Sequence, residues 1–185
     1  MPLQSINPAN GESIAEYEAH SEKEIDAMLD RSYDLFYSLY HGQPTPYPQI
    51  LTAVGKAADL LESRSAEFGL LICREMGKPV SQAVAEVEKC AVLCRYYAEN
   101  AETLLRPRQI ATESKSSYVR YDPLGPLLAI MPWNFPFWQV FRAAVPALCA
   151  GNPVILKHAS NVTGCAFKVA EVFAEAGLPE HLFQV

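Results

Sequence analysis

The order of elements in the last third of the chain constrains the fold more than any other sequence feature. Short apolar runs at 127–130, 154–156 and 182–185 are typical of buried strands. Helical segments at about 137–150 and 162–176 separate them. A strand, helix, strand, helix, strand order predicts a parallel sheet with right-handed crossovers, and therefore an α/β fold.

Residues 1–106 are predicted to form a helical layer that precedes this sheet. Turn-forming residues at 6–11 suit the tip of a hairpin, and Ser21 with Glu24 fits a capping box at a helix start. Prolines at 44, 46 and 48 interrupt the helical pattern, and Gly77 suits a left-handed helix end. The predicted helices cover 22–40, 48–63, 66–76 and a long segment from Pro79 to about residue 105.

Two segments of this first part could also serve assembly. Apolar residues recur along the long helix with spacings of four and three; this indicates a core helix, or alternatively a seam for a partner helix. The segment 107–126 contains a β-rich run at 117–121, whose edge could pair with a strand from elsewhere. We therefore expect a strand there with a possible role in assembly.

The charge pattern and the cysteines exclude several functions. The net charge is −6 and the 15 basic residues are scattered among 21 acidic ones, which disfavours nucleic acid and anionic membranes as partners. No apolar run reaches the ~20 residues of a membrane span, and no signal peptide is recognisable, so a cytoplasmic location is expected. The five cysteines are expected to be reduced core thiols, with no metal site.

The most unusual segment is 130–136, where the first parallel strand is predicted to end. Ligands of open α/β sheets bind at this edge, and Asn134 carries amide donors that could face a developing negative charge. Two prolines would stiffen the turn. The alternative is a rigid buried turn in which Trp133 fills the core and Asn134 caps the helix.

Lys157 follows the second predicted strand, so it should lie at the same edge of the sheet and could bind ribose hydroxyls or phosphate. The sequence contains neither G-x-G-x-x-G nor a P-loop motif. These residues alone therefore indicate only a generic nucleotide site.

Several motifs together resemble the aldehyde dehydrogenase superfamily. They occur in the same order and with similar spacing over nearly the whole chain, and they are Asn-Pro-Ala-Asn-Gly at 7–11, Glu-Met-Gly-Lys-Pro at 75–79, Pro-Trp-Asn-Phe-Pro at 132–136, Ala-Gly-Asn at 150–152 and Leu-Lys at 156–157. The resemblance implies a Rossmann-like NAD(P)-binding sheet that starts at residue 127, after part of an oligomerisation hairpin in 107–126. Members are usually dimers or tetramers, so a homo-oligomer is expected.

The resemblance also implies roles for individual residues. Asn134 would donate to the oxyanion of the thiohemiacetal, and Lys157 would bind the adenosine ribose. The residues that would line the nicotinamide side are Ile130, Met131, Pro132 and Trp133. In the family a glutamate usually stands where this chain has Ser160, and its loss removes repulsion toward a 2′-phosphate. Either NAD or NADP is therefore compatible as the cofactor.

Within the family, the segments around 138–142 and 157–166 look like bacterial succinate-semialdehyde dehydrogenases. Arg142 is similar to the arginine that binds the substrate carboxylate, although a surface or interface role suits it equally. His158 is expected to serve packing or hydrogen bonding rather than catalysis.

The family oxidises aldehydes through a cysteine thiolate and a glutamate base, and the resemblance places both beyond Val185. A parallel sheet that stops in its third strand is also expected to be cut rather than complete, with the catalytic domain absent. The sequence thus predicts part of an NAD(P)-dependent dehydrogenase of succinate semialdehyde that is inactive by itself. The alternatives are a non-catalytic assembly module and a generic nucleotide-binding protein.

Overall fold

The computed structural model describes residues 2–40 and 47–185. Two of the predicted helix-breaking prolines, at 44 and 46, lie outside the described residues. The helices are α1 (Glu22–Tyr40), α2 (Pro48–Ser63), α3 (Ser65–Met76), α4 (Val80–Leu104), α5 (Trp138–Cys149) and α6 (Thr163–Glu175). The strands are β1 (Leu3–Ile6), β2 (Ser13–Tyr17), β3 (Arg108–Gln109), β4 (Tyr118–Val119), β5 (Leu127–Met131), β6 (Val154–His158) and β7 (Phe183–Gln184).

The turn, the helix cap and the helix end predicted in residues 1–77 are confirmed. β1 and β2 form an antiparallel hairpin around the predicted turn. The Ser21 backbone N–H donates to Glu24 Oε2 at 2.7 Å and the Glu24 N–H donates to Ser21 Oγ at 3.3 Å, which is the reciprocal pattern of a capping box. Gly77 ends α3 with a φ of 75°, in the left-handed region that favours glycine.

The helical layer packs around α4, which contacts α2, α3 and α5. The buried side of α4 includes Val87, Ala91, Cys94 and Ala101, as its spacing predicts, whereas Val80 is exposed at the first turn. Helices and sheet share a single hydrophobic core. The long apolar face of α4 is therefore a core face, and partner helices are not needed to explain it.

The predicted parallel sheet is confirmed, with the strand order β5-β6-β7. β6 is two residues longer than predicted, because Lys157 and His158 continue the ladder beside Ile130 and Met131. Lys157 therefore lies within the strand rather than after it. The polar side chains of Lys157 and His158 fit the strand because they point to opposite faces.

The strand predicted over 117–121 is shorter than expected. Only Tyr118 and Val119 form β4, and they pair with Arg108 and Gln109 in a separate antiparallel ribbon. Both residues of β4 are exposed. A two-residue strand offers few edge groups, so any further pairing would have to extend it.

The two faces of the sheet differ in how they are covered. Val154, Leu156 and His158 are buried on the face that contacts α5 and α6. Leu128 and Ile130, on the opposite face of β5, are 68% and 67% exposed. This open face borders α1 and the hairpin, and the three enclose an apolar groove with a volume of about 550 Å³.

Candidate functional site

The turn after β5 presents its side chains to solvent. Trp133 is 51% exposed, and Asn134 and Phe135 are exposed as well. The Asn134 side chain makes no hydrogen bond with any residue in 2–40 or 47–185. The buried-turn alternative is therefore wrong on both counts: Trp133 does not fill the core, and Asn134 does not cap α5.

The start of α5 is capped by a side chain from another helix. Glu86 of α4 accepts the backbone N–H groups of Phe137 and Trp138 through Oε1, each at 3.0 Å. Glu86 Oε2 forms an ion pair with Lys78, and these two side chains are only 2% and 7% exposed. The Lys78 ammonium also lies 3.7 Å from the centre of the Phe135 ring. The buried Lys78–Glu86 pair thus contacts the segment that follows Asn134 at two places: the ring of Phe135 and the backbone amides of Phe137 and Trp138.

The start of α6 is capped in the same way by Glu75 of α3. Its carboxylate accepts the N–H of Gly164 at 3.0 Å and that of Cys165 at 2.8 Å. The Ser5 hydroxyl donates to the same carboxylate at 2.7 Å. A Cβ at Gly164 would lie 2.7 Å from Glu75 Oε1, so a larger residue would have to displace the carboxylate from its present position. Glu75 therefore ties the hairpin and α3 to the first turn of α6.

These caps occupy the N-termini of two helices that could otherwise bind phosphate. Helix N-termini bind phosphate through free N–H groups and the helix dipole. In this fold, protein carboxylates already occupy those N–H groups at α5 and α6. A dinucleotide in this site would have to place its phosphates elsewhere.

Sequence reasoning missed both glutamates. Glu75 and Glu86 lie 89 and 51 residues from the first amides that they cap, so no local motif links them. One signal was present, because Glu86 falls between Ala83 and Cys90 on the buried stripe of α4. A carboxylate on a core-facing stripe requires buried donors as partners.

Lys157 and Ser160 border the open groove beside the sheet. Lys157 is paired with Ile130 in the parallel register, and both side chains are exposed. Within the described part of the chain, the Lys157 ammonium forms no ion pair. An unpaired ammonium and a hydroxyl beside an apolar wall suit a ribose and the flat base attached to it.

The remaining predicted residues lie around the turn and on α5. Pro132 is exposed beside Trp133, whereas Met131 packs partly against the core, on the face opposite Ile130. Arg142 is exposed on α5, and its guanidinium donates to Gln139 at 3.2 Å. The structure therefore groups Lys157 and Ser160 at the groove, and Trp133 and Asn134 at the turn.

His158 connects these two groups of residues. Its Nδ1 accepts the Ala159 N–H at 2.8 Å, so Nε2 carries the proton and donates to the Pro136 carbonyl at 2.9 Å. Burial lowers the pKa of His158, against the opposing effect of the Pro136 and Met131 carbonyls and Glu75. The neutral imidazole thus links the end of β6 to the Asn134 turn, which agrees with the predicted hydrogen-bonding role.

Acidification is expected to destabilise the chain through His158. Because the folded-state pKa lies below the ordinary value of 6.5, the unfolded chain binds the proton more readily, and stability falls as the pH decreases below about 6.5. Urea unfolding at several pH values between 7 and 5 measures this loss. His158→Gln, which can still donate to Pro136, should show a shallower dependence; an unchanged slope would assign the effect to other groups.

The cysteines behave as core thiols. Cys90, Cys94, Cys149 and Cys165 are buried, Cys73 is partly buried, and all five are free. Burial raises the pKa of Cys149 to about 12 and also raises the pKa values of Cys90, Cys94 and Cys165. These four thiols are therefore protonated at neutral pH and unsuited to nucleophilic attack.

The described residues lack two further kinds of feature. No group of three His, Cys, Asp or Glu side chains among them is placed to hold a metal ion. None of the helices within 2–40 and 47–185 combines the length and apolar character that crossing a bilayer requires.

Comparison with known proteins places this geometry in a family. Over 184 residues the chain is 50% identical to a protein from Synechocystis sp. named "Probable succinate-semialdehyde dehydrogenase, NADP(+)". It is 44% identical over 187 residues to a protein from Mycobacterium avium named "Succinate-semialdehyde dehydrogenase, NADP(+)". The chain spans 40% and 39% of the lengths of these two relatives.

A solved structure gives the same result. The succinic semialdehyde dehydrogenase of Streptococcus pyogenes, in complex with NADP+, matches with a TM-score of 0.93 and 27% identity, over 98% of this chain and 40% of that one. The family model described as "Aldehyde dehydrogenase family" matches residues 1–185. The chain belongs to the aldehyde dehydrogenase family.

Proposed function

We propose that this chain is the first part of an NAD(P)-dependent dehydrogenase that oxidises succinate semialdehyde, or a similar anionic aldehyde, to its acid. The observation that carries the proposal is the β5–β6 register, which sets Lys157 beside the strand that leads into the Asn134 turn. The family membership and the names of the relatives support it. We assign 107–126 to subunit assembly and 127–185 to cofactor binding.

The proposed chemistry divides among residues already described. Within residues 2–40 and 47–185 the amide donors of Asn134 have no acceptor, so this side chain can stabilise an oxyanion that develops at the aldehyde carbon. Lys157 and Ser160 bind the adenosine ribose. The residues that offer apolar contacts to the nicotinamide side are Ile130, Met131, Pro132 and Trp133. The bound NAD(P) supplies the acceptor for the hydride.

The nucleophile and the general base are proposed to lie outside this chain. Its four buried thiols are protonated at neutral pH, and the relatives are about 2.5 times as long as the chain. The 185-residue chain is therefore expected to lack dehydrogenase activity. Below, the full-length enzyme means this chain continued to the length of its relatives, which we expect to assemble as a dimer or tetramer.

Ser160 is proposed to permit NADP. Ser160→Glu should shift the ratio of NADP to NAD affinity toward NAD by roughly tenfold, because a carboxylate repels the 2′-phosphate and can accept hydrogen bonds from the ribose hydroxyls. Titration calorimetry with each cofactor measures the ratio. Ser160→Gln has a similar size without the charge and serves as control; equal shifts in both variants would contradict the electrostatic explanation.

Arg142 is proposed to bind the substrate carboxylate. Its guanidinium forms no ion pair within the described residues and contacts only the neutral Gln139 amide. In the full-length enzyme, Arg142→Met should raise KM for succinate semialdehyde by roughly 10-fold to 100-fold, as expected for losing a charged hydrogen bond. Butanal, which has the same chain length without the carboxylate, should be unaffected. Equal losses for both aldehydes would exclude this role.

A further inference from the structure

Two buried glutamates of the helical layer, Glu86 and Glu75, hydrogen-bond backbone amides near the candidate site. Glu86 contacts the residues that follow Asn134, and Glu75 contacts the first turn of the helix that follows Lys157 and Ser160. Both glutamates are almost fully buried: taken as whole residues, Glu86 is 5% exposed and Glu75 is 2% exposed. We propose that Glu86 and Glu75 are positioning residues, and that each independently holds one half of the cofactor site. This inference rests on the proposed function for its link to the cofactor.

Glu86 is suited to this role because it replaces the local cap that α5 lacks. Neither Phe137 nor any other nearby side chain caps the helix. The Phe137 and Trp138 N–H groups therefore have Glu86 as their acceptor, and they follow Asn134 by three and four residues in the chain. Fixing these amides limits the conformations open to the turn that carries Asn134.

Lys78 makes a buried carboxylate tolerable at this point. A lone buried charge costs several kcal/mol, and pairing together with further hydrogen bonds offsets part of that cost. Lys78 pairs with Glu86 and also lies over the Phe135 ring, so it contacts the turn directly. The pair therefore holds the turn from two sides: by the backbone after Phe135 and by the ring of Phe135 itself.

Glu75 holds the other half through amides that Glu86 does not bind. It caps Gly164 and Cys165, and the Ser5 hydroxyl is its third donor. The α6 residues that it fixes follow directly after the 3₁₀ turn Ser160–Val162. The two carboxylates are neighbours, since Cys165 lies within electrostatic range of Glu86 and Lys78, and His158 joins the end of β6 to the turn. They nevertheless bind different helices through different amides, so removal of one should leave the hydrogen bonds of the other in place.

The test is amide hydrogen exchange in the 185-residue chain, measured by NMR at four amides. Glu86→Ala should accelerate exchange at Phe137 and Trp138 roughly tenfold or more and leave Gly164 and Cys165 unchanged. Glu75→Ala should do the reverse. Glu86→Gln combined with Lys78→Met keeps an acceptor oxygen while removing both charges, and should restore slow exchange. If Glu86→Ala does not fold, Glu86→Asp, which withdraws the carboxylate by one methylene, takes its place.

Acceleration at all four amides in either variant would overturn the inference, because it would mark a general loss of stability. Unchanged exchange at Phe137 and Trp138 in the Glu86 variant would overturn it as well. A second arm titrates the chain with nicotinamide mononucleotide and with adenosine 2′,5′-bisphosphate. The Glu86 variant should weaken only the binding of nicotinamide mononucleotide. The Glu75 variant should weaken only the binding of adenosine 2′,5′-bisphosphate. If the unmodified chain binds neither probe, the proposed cofactor site is wrong, while the exchange rates still decide whether the two carboxylates act independently.

Discussion

Asn134→Ala in the full-length enzyme is expected to lower kcat by about 10²-fold to 10³-fold, the effect of removing one donor from an oxyanion site. The Asn134 side chain is exposed and makes no hydrogen bond within the described residues, so the substitution removes no hydrogen bond there. KM for the aldehyde should change little, because the donor acts on charge that develops during the reaction. Steady-state kinetics with saturating cofactor measures both constants.

Two controls separate this role from a structural one. The free energy of unfolding of Asn134→Ala should match that of the unmodified protein. Asn134→Asp, which keeps the shape but presents a negative charge to the oxyanion, should lower kcat at least as far as alanine does. An unchanged kcat, or a loss of stability that accounts for the loss of rate, would remove Asn134 from the proposed site.

The second large effect concerns the aromatic core that joins the helices to the sheet. Phe141 is fully buried between Phe137 and Phe173, with ring centres 6.3 Å and 5.1 Å away. Phe141→Ala should therefore lower the free energy of unfolding by about 3–5 kcal/mol, through lost burial and a cavity. This is a large part of the total stability of a chain of this size.

Urea unfolding followed by circular dichroism measures this loss. Phe167→Ala is a matched control, because Phe167 is 43% exposed and, among the residues that the structure describes, its ring contacts only that of Tyr17, with ring centres 5.4 Å apart. It should cost about 1 kcal/mol. Equal losses for the two substitutions would show that the aromatic chain through Phe141 does not hold the layers together.

Elements with local determinants could be predicted from the sequence. The helix starts at Glu22 and Pro48 and the helix end at Gly77 depend on capping and proline effects that act over a few residues. The parallel sheet could be predicted because strand and helix periods alternate. The predicted β4 was too long because a strand's length depends on its partner, and β3 offers two residues only.

The positions of the candidate site residues could be predicted only where short, local sequence motifs determine them. Lys157 and Asn134 occur in short motifs, so their proximity to β6 and β5 could be inferred from the sequence, although Lys157 lies within β6 rather than after it. The caps by Glu75 and Glu86 could not, because they join segments that are distant in the chain and meet only after packing. The extension of β6 through Lys157 and His158 was also missed, since two polar residues lack the apolar pattern of a strand.

The central claim is that this chain binds the cofactor of an aldehyde dehydrogenase but does not itself carry the oxidation. Its most direct test is an assay of cofactor reduction. Succinate semialdehyde is added to the protein with NADP or with NAD, and the absorbance is followed at 340 nm, where the reduced nicotinamide absorbs. The 185-residue chain and the full-length enzyme are assayed side by side. We predict reduction with the full-length enzyme alone. Turnover by the 185-residue chain, or none by the full-length enzyme, would contradict the account.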